Sequence, residues 1–311
     1  MMWFFIILGL LILVSSGNFL VRGSVALANI FKISPYIIAA TFVAFGTSAP
    51  ELFVSGIASY SGHPAAAIGN ILGSNFANVF LALGMTALIL SISTPKNKFP
   101  LEIKVLLFSS IIFILILYNV SLIRWWMGLL LLVSLITYII YLIKYDTRKD
   151  SEEIIEENLS LSKSIFIFLS GLIGVSLGAN LLIEGSIDLA HYFGIRETVI
   201  GLGVLAFGTS LPEVATSIIA AIKKENNIAI GNIVGSNIFN ILGIGGVTIL
   251  ISGNDFLNIN NIITIYDIIP FLLSTIILVY FYKFNANINR LYGIIFVISC
   301  FRFLHGPSNV Y

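Results

Sequence analysis

The chain has 311 residues, 58% of them hydrophobic and 10% charged, with a mean hydropathy of +1.03 and a net charge of +1. A soluble domain carries about 25% charged residues, so too little polar surface exists to face water, and the chain reads as an all-α polytopic membrane protein. The near-neutral balance offers nothing to nucleic acid, and the lone cysteine, Cys300, excludes an internal disulfide.

A membrane-crossing helix needs about 20 apolar residues. On that measure helices are predicted at 2–21, 33–60, 65–93, 101–120, 124–143, 164–187, 197–222, 227–252, 262–282 and 288–305. The first stretch has no basic start and no small-residue cleavage site, so it reads as a membrane helix and not a removed leader. The one polar interval, Lys144 to Lys163, contains Arg148, Lys149, Asp150, Glu152, Glu153, Glu156 and Glu157. Such a charge run reads as a solvated linker. It divides the chain into a first five-helix unit (1–143), a linker (144–163) and a second five-helix unit (164–311).

With ten crossings, Arg22, Lys32, Lys96, Lys98, Lys104, Lys144, Arg148, Lys149, Lys163, Lys223, Lys224, Lys283 and Arg290 fall on one side, and Arg124, Arg196 and Arg302 on the other. Lys and Arg concentrate on the cytoplasmic side. The linker is therefore expected in the cytoplasm and both termini outside, in a multi-pass protein of the cell membrane.

The two units repeat each other. Gly46-Thr47-Ser48-Ala49-Pro50-Glu51 returns as Gly208-Thr209-Ser210-Leu211-Pro212-Glu213, and Gly69-Asn70-Ile71-Leu72-Gly73-Ser74-Asn75 as Gly231-Asn232-Ile233-Val234-Gly235-Ser236-Asn237, each 162 residues on. Without a gap, residues 20–84 match 182–246 at 28 of 65 positions. Units of five helices, an odd number, must insert with opposite polarity. The predicted architecture is thus ten transmembrane helices in two inverted-topology repeats, an arrangement that places transporter sites at the repeat interface.

Glu51 and Glu213 fall mid-helix. An ionised carboxylate at the bilayer centre costs roughly 2.5–3.5 kcal/mol on an insertion scale, and neither motif holds a Lys or Arg to offset it. A mobile cation is the economical partner. Proline removes a backbone donor and crowds the carbonyl four residues earlier, so breaks are expected at Gly46 and Gly208. Thr47, Ser48, Thr209 and Ser210 add hydroxyl oxygens, and Ser74 with Asn78, like Ser236 with Asn240, share a helix face. Hard cations such as calcium take six to eight oxygen ligands. The lack of His or Cys argues against zinc, copper or iron. Asn75 and Asn237 are expected to bond the broken backbone, with Asn70 and Asn232 in a similar role. No nucleophile–base pair accompanies the carboxylates, so no enzyme and no cofactor are expected. A channel is the other reading, disfavoured because one chain carries two inverted halves.

At these residues the chain resembles the calcium/cation antiporter superfamily, specifically prokaryotic sodium/calcium exchanger-like proteins, over the whole ten-helix architecture. The resemblance implies a secondary active antiporter exchanging sodium for calcium by alternating access, with a proton/calcium or other divalent-cation antiporter as the alternative. It implies Glu51 and Glu213 as bridging carboxylates. Thr47, Ser48, Thr209, Ser210, Ser74, Asn78 and Ser236 match ligand positions, and Ala44 and Ala206 match positions that offer carbonyls. Asn240 stands where potassium-dependent members carry aspartate, so potassium cotransport is not expected. The resemblance also implies that the first and sixth helices are long and slide across a bundle of the second, third, seventh and eighth. Partners are calcium, sodium and the bilayer, with no obligate protein partner evident.

Overall fold

The computed structural model describes residues 2–93, 100–118, 124–145, 159–192, 208–252 and 265–304. Among them the secondary structure is helical, apart from one isolated antiparallel bridge between Ile92 and Ile288. We number the helices α1 (Met2–Phe31), α2 (Pro35–Thr47 and Ala49–Tyr60, bent by 45°), α3 (Pro64–Ile89), α4 (Leu101–Tyr118), α5 (Trp125–Lys144), α6 (Leu161–Tyr192), α7 (Leu211–Ile222), α8 (Asn226–Ser252), α9 (Ile265–Lys283) and α10 (Arg290–Leu304). Seven are long and apolar enough to cross a membrane, and an eighth if the bent α2 counts as one span. The predicted helix at 197–222 is described only in its last part, and most of the charged linker lies outside the described residues.

Burial sorts the helices by sequence. α3 and α8 are almost wholly enclosed, whereas α1, α5 and α6 turn most of their surface outward. The enclosed pair are the two helices that carry the Gly-Asn and Gly-Ser-Asn motifs. Apolar side chains such as Phe108, Leu130, Ile136, Phe166 and Ile173 cover the outside. A helix apolar all round is suited to lipid.

α1 and α6 are longer than expected, 30 and 32 residues, and run antiparallel in backbone-to-backbone contact. Glycine makes that approach possible. A Cβ at Gly9 would sit 2.8 Å from the Gly178 carbonyl oxygen, and one at Gly23 would sit 2.6 Å from the Phe168 nitrogen. Small residues at a membrane helix interface let dispersion and lipid entropy hold the pair together.

α2, α3 and α8 each contain a widened, π-helical turn, at Ala39–Val43, Asn78–Leu83 and Phe239–Ile244. Such turns cluster at functional sites. Two of them coincide with Asn78 and Asn240. The Ile92–Ile288 bridge joins the end of α3 to the α9–α10 turn through backbone bonds of 3.0 and 2.9 Å.

Candidate ion site

The helix breaks lie at Ser48 and Ser210, two residues beyond the expected Gly46 and Gly208. Ser48 has φ −84°, ψ 8° and Ser210 has φ −86°, ψ 3°. The reason is steric: turning the chain two residues before proline leaves Pro50 and Pro212 in the first turn of the following helix, where a missing N–H costs nothing. Glu51 and Glu213 then stand in the first turns of the second half of α2 and of α7. A helix N-terminus favours an anion by typically 0.3–1 kcal/mol.

Ser48 and Ser210 occupy the capping positions of those helices, yet neither makes a side-chain cap bond. Their hydroxyls cross to the other repeat. Ser48 Oγ donates to Glu213 Oε1 at 2.8 Å, and Ser210 Oγ donates to Glu51 Oε1 at 3.2 Å. Ser236 Oγ adds a donor to Glu213 Oε1 at 3.4 Å. Thr47 Oγ1 donates to Asn232 Oδ1 at 3.1 Å, and lies 3.5 Å from Ser236 Oγ. Asn78 Nδ2 donates to Asn237 Oδ1 at 3.0 Å. Thr47 Oγ1 also lies 3.4 Å from Ala44 O in its own helix, a longer contact than those of Thr41 and Thr86, which each bond the carbonyl one turn back at 2.6 Å. That local bond is the ordinary way to satisfy a helical hydroxyl.

Ala44, Thr47, Ser48, Glu51, Ser74, Asn78, Ser210, Glu213, Ser236 and Asn240 are all buried, and Thr209 is partly so. Ala206 lies outside the described residues. Among the described residues, the hydrogen bonds to the two carboxylates come from serine hydroxyls and none from Lys, Arg or His. Glu51 Oε2, Glu213 Oε2, Ser74 Oγ, Asn78 Oδ1, Thr209 Oγ1 and Asn240 Oδ1 form no hydrogen bond. A buried polar atom left unsatisfied costs about 1–3 kcal/mol, more if charged. Six such oxygens belong to the predicted set, and oxygen is the ligand type a hard cation takes.

One expectation is corrected. Asn75 and Asn237 do not bond the broken backbone: Asn75 Nδ2 reaches Ile71 O in its own helix at 2.8 Å, and Asn237 receives Asn78. Asn70 and Asn232 do that work. Asn70 Nδ2 donates to Glu51 O at 3.2 Å and Ser55 Oγ at 2.9 Å, and Asn232 Nδ2 to Glu213 O at 3.4 Å and Ser217 Oγ at 3.2 Å. Ser55 and Ser217 are legible in the sequence only as matched positions of the internal repeat, where one serine recurs 162 residues on.

Bundled apolar helices around two broken, carboxylate-bearing segments define a multi-pass membrane protein with an internal candidate site. The chain belongs to the sodium/calcium exchanger protein family, whose model matches residues 1–144 and 163–304. It is 30% identical over 286 residues to the sodium/calcium exchanger MaX1 of Methanosarcina acetivorans, covering 78% of this chain and 81% of that one. It is 35% identical over 257 residues to the inner membrane protein YrbG of Escherichia coli, covering 79% of each. Its fold is similar to the sodium-calcium exchanger NCX_Mj determined without sodium or calcium, with a TM-score of 0.80, 30% identity and 98% of each chain covered.

Proposed function

We propose that this chain is a secondary active antiporter that exchanges sodium for calcium by alternating access. Glu51 and Glu213 are its bridging carboxylates. Thr47, Ser48, Thr209, Ser210, Ser74, Asn78, Ser236 and Asn240 supply neutral oxygens, and Ala44 and Ala206 supply carbonyls. The observation that carries the reading is the reciprocal Ser48–Glu213 and Ser210–Glu51 pair: it draws two buried carboxylates together and leaves one oxygen of each without a partner.

The architecture is ten membrane helices in two inverted repeats of five, with a cytoplasmic linker and both termini outside. Two contacts support that topology. The Ile92–Ile288 bridge holds the α3–α4 and α9–α10 connections on one face. Leu27 and Ala28 near the end of α1 cluster with Ala220, Ile228 and Ala229 around the α7–α8 turn. Both sets of connections carry the Lys and Arg of the cytoplasmic side.

Charge balance sets the coupling. Two carboxylates are neutralised by one calcium or two sodium ions. A third sodium, binding to the neutral oxygens, leaves the sodium-loaded site at +1. Exchange then moves one charge per cycle, so the membrane potential contributes about 2.3 kcal/mol per 100 mV. Calcium and sodium compete for the same carboxylates, which makes the exchange obligatory.

The test uses proteoliposomes loaded with sodium and diluted into sodium-free medium containing radioactive calcium. Uptake that needs the sodium gradient and vanishes in Glu213→Gln supports the reading. Uptake driven by a proton gradient and indifferent to sodium would replace it with proton/calcium exchange.

A further inference from the structure

The two repeats have the same residues at the site but not the same bonds. Thr47 Oγ1 donates to Asn232 Oδ1 at 3.1 Å. The equivalent pair, Thr209 and Asn70, forms no such bond, and among the described residues Thr209 Oγ1 has no hydrogen-bond partner. The surroundings differ in the same sense. Asn232 and its neighbour Gly231 are fully buried, whereas Asn70 is partly exposed and Gly69 exposed. A Cβ at Gly231 would lie 2.7 Å from the Tyr36 carbonyl oxygen, and one at Gly235 2.5 Å from the Ala40 carbonyl oxygen, so α8 is seated hard against α2. Among the described residues, nothing lies within 4 Å of a Cβ at Gly69 or Gly73. Identical sequence in two different environments is what an inverted repeat shows when it is caught open to one side.

The hydrogen bond has a consequence for ion binding. Of the two acceptors within reach of the Thr47 hydroxyl, Asn232 Oδ1 at 3.1 Å is nearer than Ala44 O at 3.4 Å, and a proton directed to Asn232 leaves the oxygen lone pairs to face a cation. Asn232 is itself fixed by its other end, which donates to Glu213 O and Ser217 Oγ. Asn70 has the same anchorage, to Glu51 O and Ser55 Oγ, but holds no threonine.

We propose that Asn232 and Asn70 are positioning residues of the ion site, and that the Thr47–Asn232 bond is exchanged for a Thr209–Asn70 bond when the site opens to the opposite side. This exchange presupposes the inverted-repeat exchanger described above. In the proposed topology the α2–α8 contact closes the cytoplasmic side, so Asn232 orients Thr47 while the site faces outward, and Asn70 orients Thr209 while it faces inward.

The test is the calcium KM of sodium-driven transport, measured from each face in right-side-out and inside-out proteoliposomes, for Asn232→Ala, Asn70→Ala and the double variant. Each anchor to a glutamate carbonyl affects both faces, so the informative quantity is the ratio of external to cytoplasmic KM. Asn232→Ala should raise that ratio about three- to tenfold, the scale of one buried hydrogen bond. Asn70→Ala should lower it by a similar factor, and the double variant should return it towards wild type. Should alanine prevent folding at either position, serine, which is too short to reach the threonine, is expected to move the ratio in the same direction. Ratios that stay at the wild-type value, or move together, overturn the exchange while sodium-driven transport by the wild type upholds the exchanger. Absence of sodium-driven transport in the wild type overturns both.

Discussion

Ser48 and Glu213, 165 residues apart in sequence, are joined by a 2.8 Å hydrogen bond. Its pseudo-symmetric partner, Ser210 to Glu51, is longer at 3.2 Å. A hydrogen bond to a charged group contributes about 1.5–3 kcal/mol. Ser48→Ala is therefore expected to weaken calcium binding by roughly tenfold or more, and by more than Ser210→Ala does. Isothermal titration of both variants with calcium checks the order.

Glu51→Gln combined with Glu213→Gln removes both buried carboxylates of the site while nearly preserving volume. The double variant should fold and lose calcium transport. Its thermal midpoint should also stop responding to calcium, whereas a ligand at a hundred times its Kd stabilises the wild type by about 2.7 kcal/mol. Thermal unfolding in detergent with and without calcium measures this. An unchanged calcium response in the double variant would place the ion elsewhere.

Gly23 and Gly178 set the distance between α1 and α6. A Cβ at Gly178 would lie 2.8 Å from the Leu13 nitrogen. Valine at either position must push the helix backbones apart, and overpacking of this kind typically costs about 1–3 kcal/mol. Gly56, where an added Cβ meets nothing, is the control. Gly23→Val and Gly178→Val should lower the thermal midpoint, and Gly56→Ala should leave it in place.

The topology is open to a direct check. Cys300 is buried, so Cys300→Ala provides a thiol-free background. In it, Glu152→Cys should react with a membrane-impermeant maleimide in intact cells only after permeabilisation. Ser61→Cys, in the exposed α2–α3 turn, should react without it. Labelling in the reverse order would invert the assigned orientation.

Much of the molecule is legible in the order of its amino acids. Composition defines the class, because 10% charge cannot cover a soluble surface. The Pro50 and Pro212 motifs announce broken helices around Glu51 and Glu213, because proline's missing donor and ring clash are local properties. The 162-residue offset shows that the motifs are present twice. Each of these features concerns neighbouring residues, or residues of one repeat matched to the other, and so survives in one dimension.

Tertiary structure decided what crosses between the repeats. The breaks settle at Ser48 and Ser210 because the prolines are best accommodated inside the first turn of the next helix. Whether Asn70 or Asn75 reaches the glutamate carbonyl depends on how α3 is rotated against α2, and no spacing within one helix states that. Sequence symmetry assigns Thr47 and Thr209 the same partner. Among the described residues the packing of α8 against α2 gives that partner to Thr47 alone, because it brings Asn232 to Thr47 while Asn70 stays partly exposed and apart from Thr209.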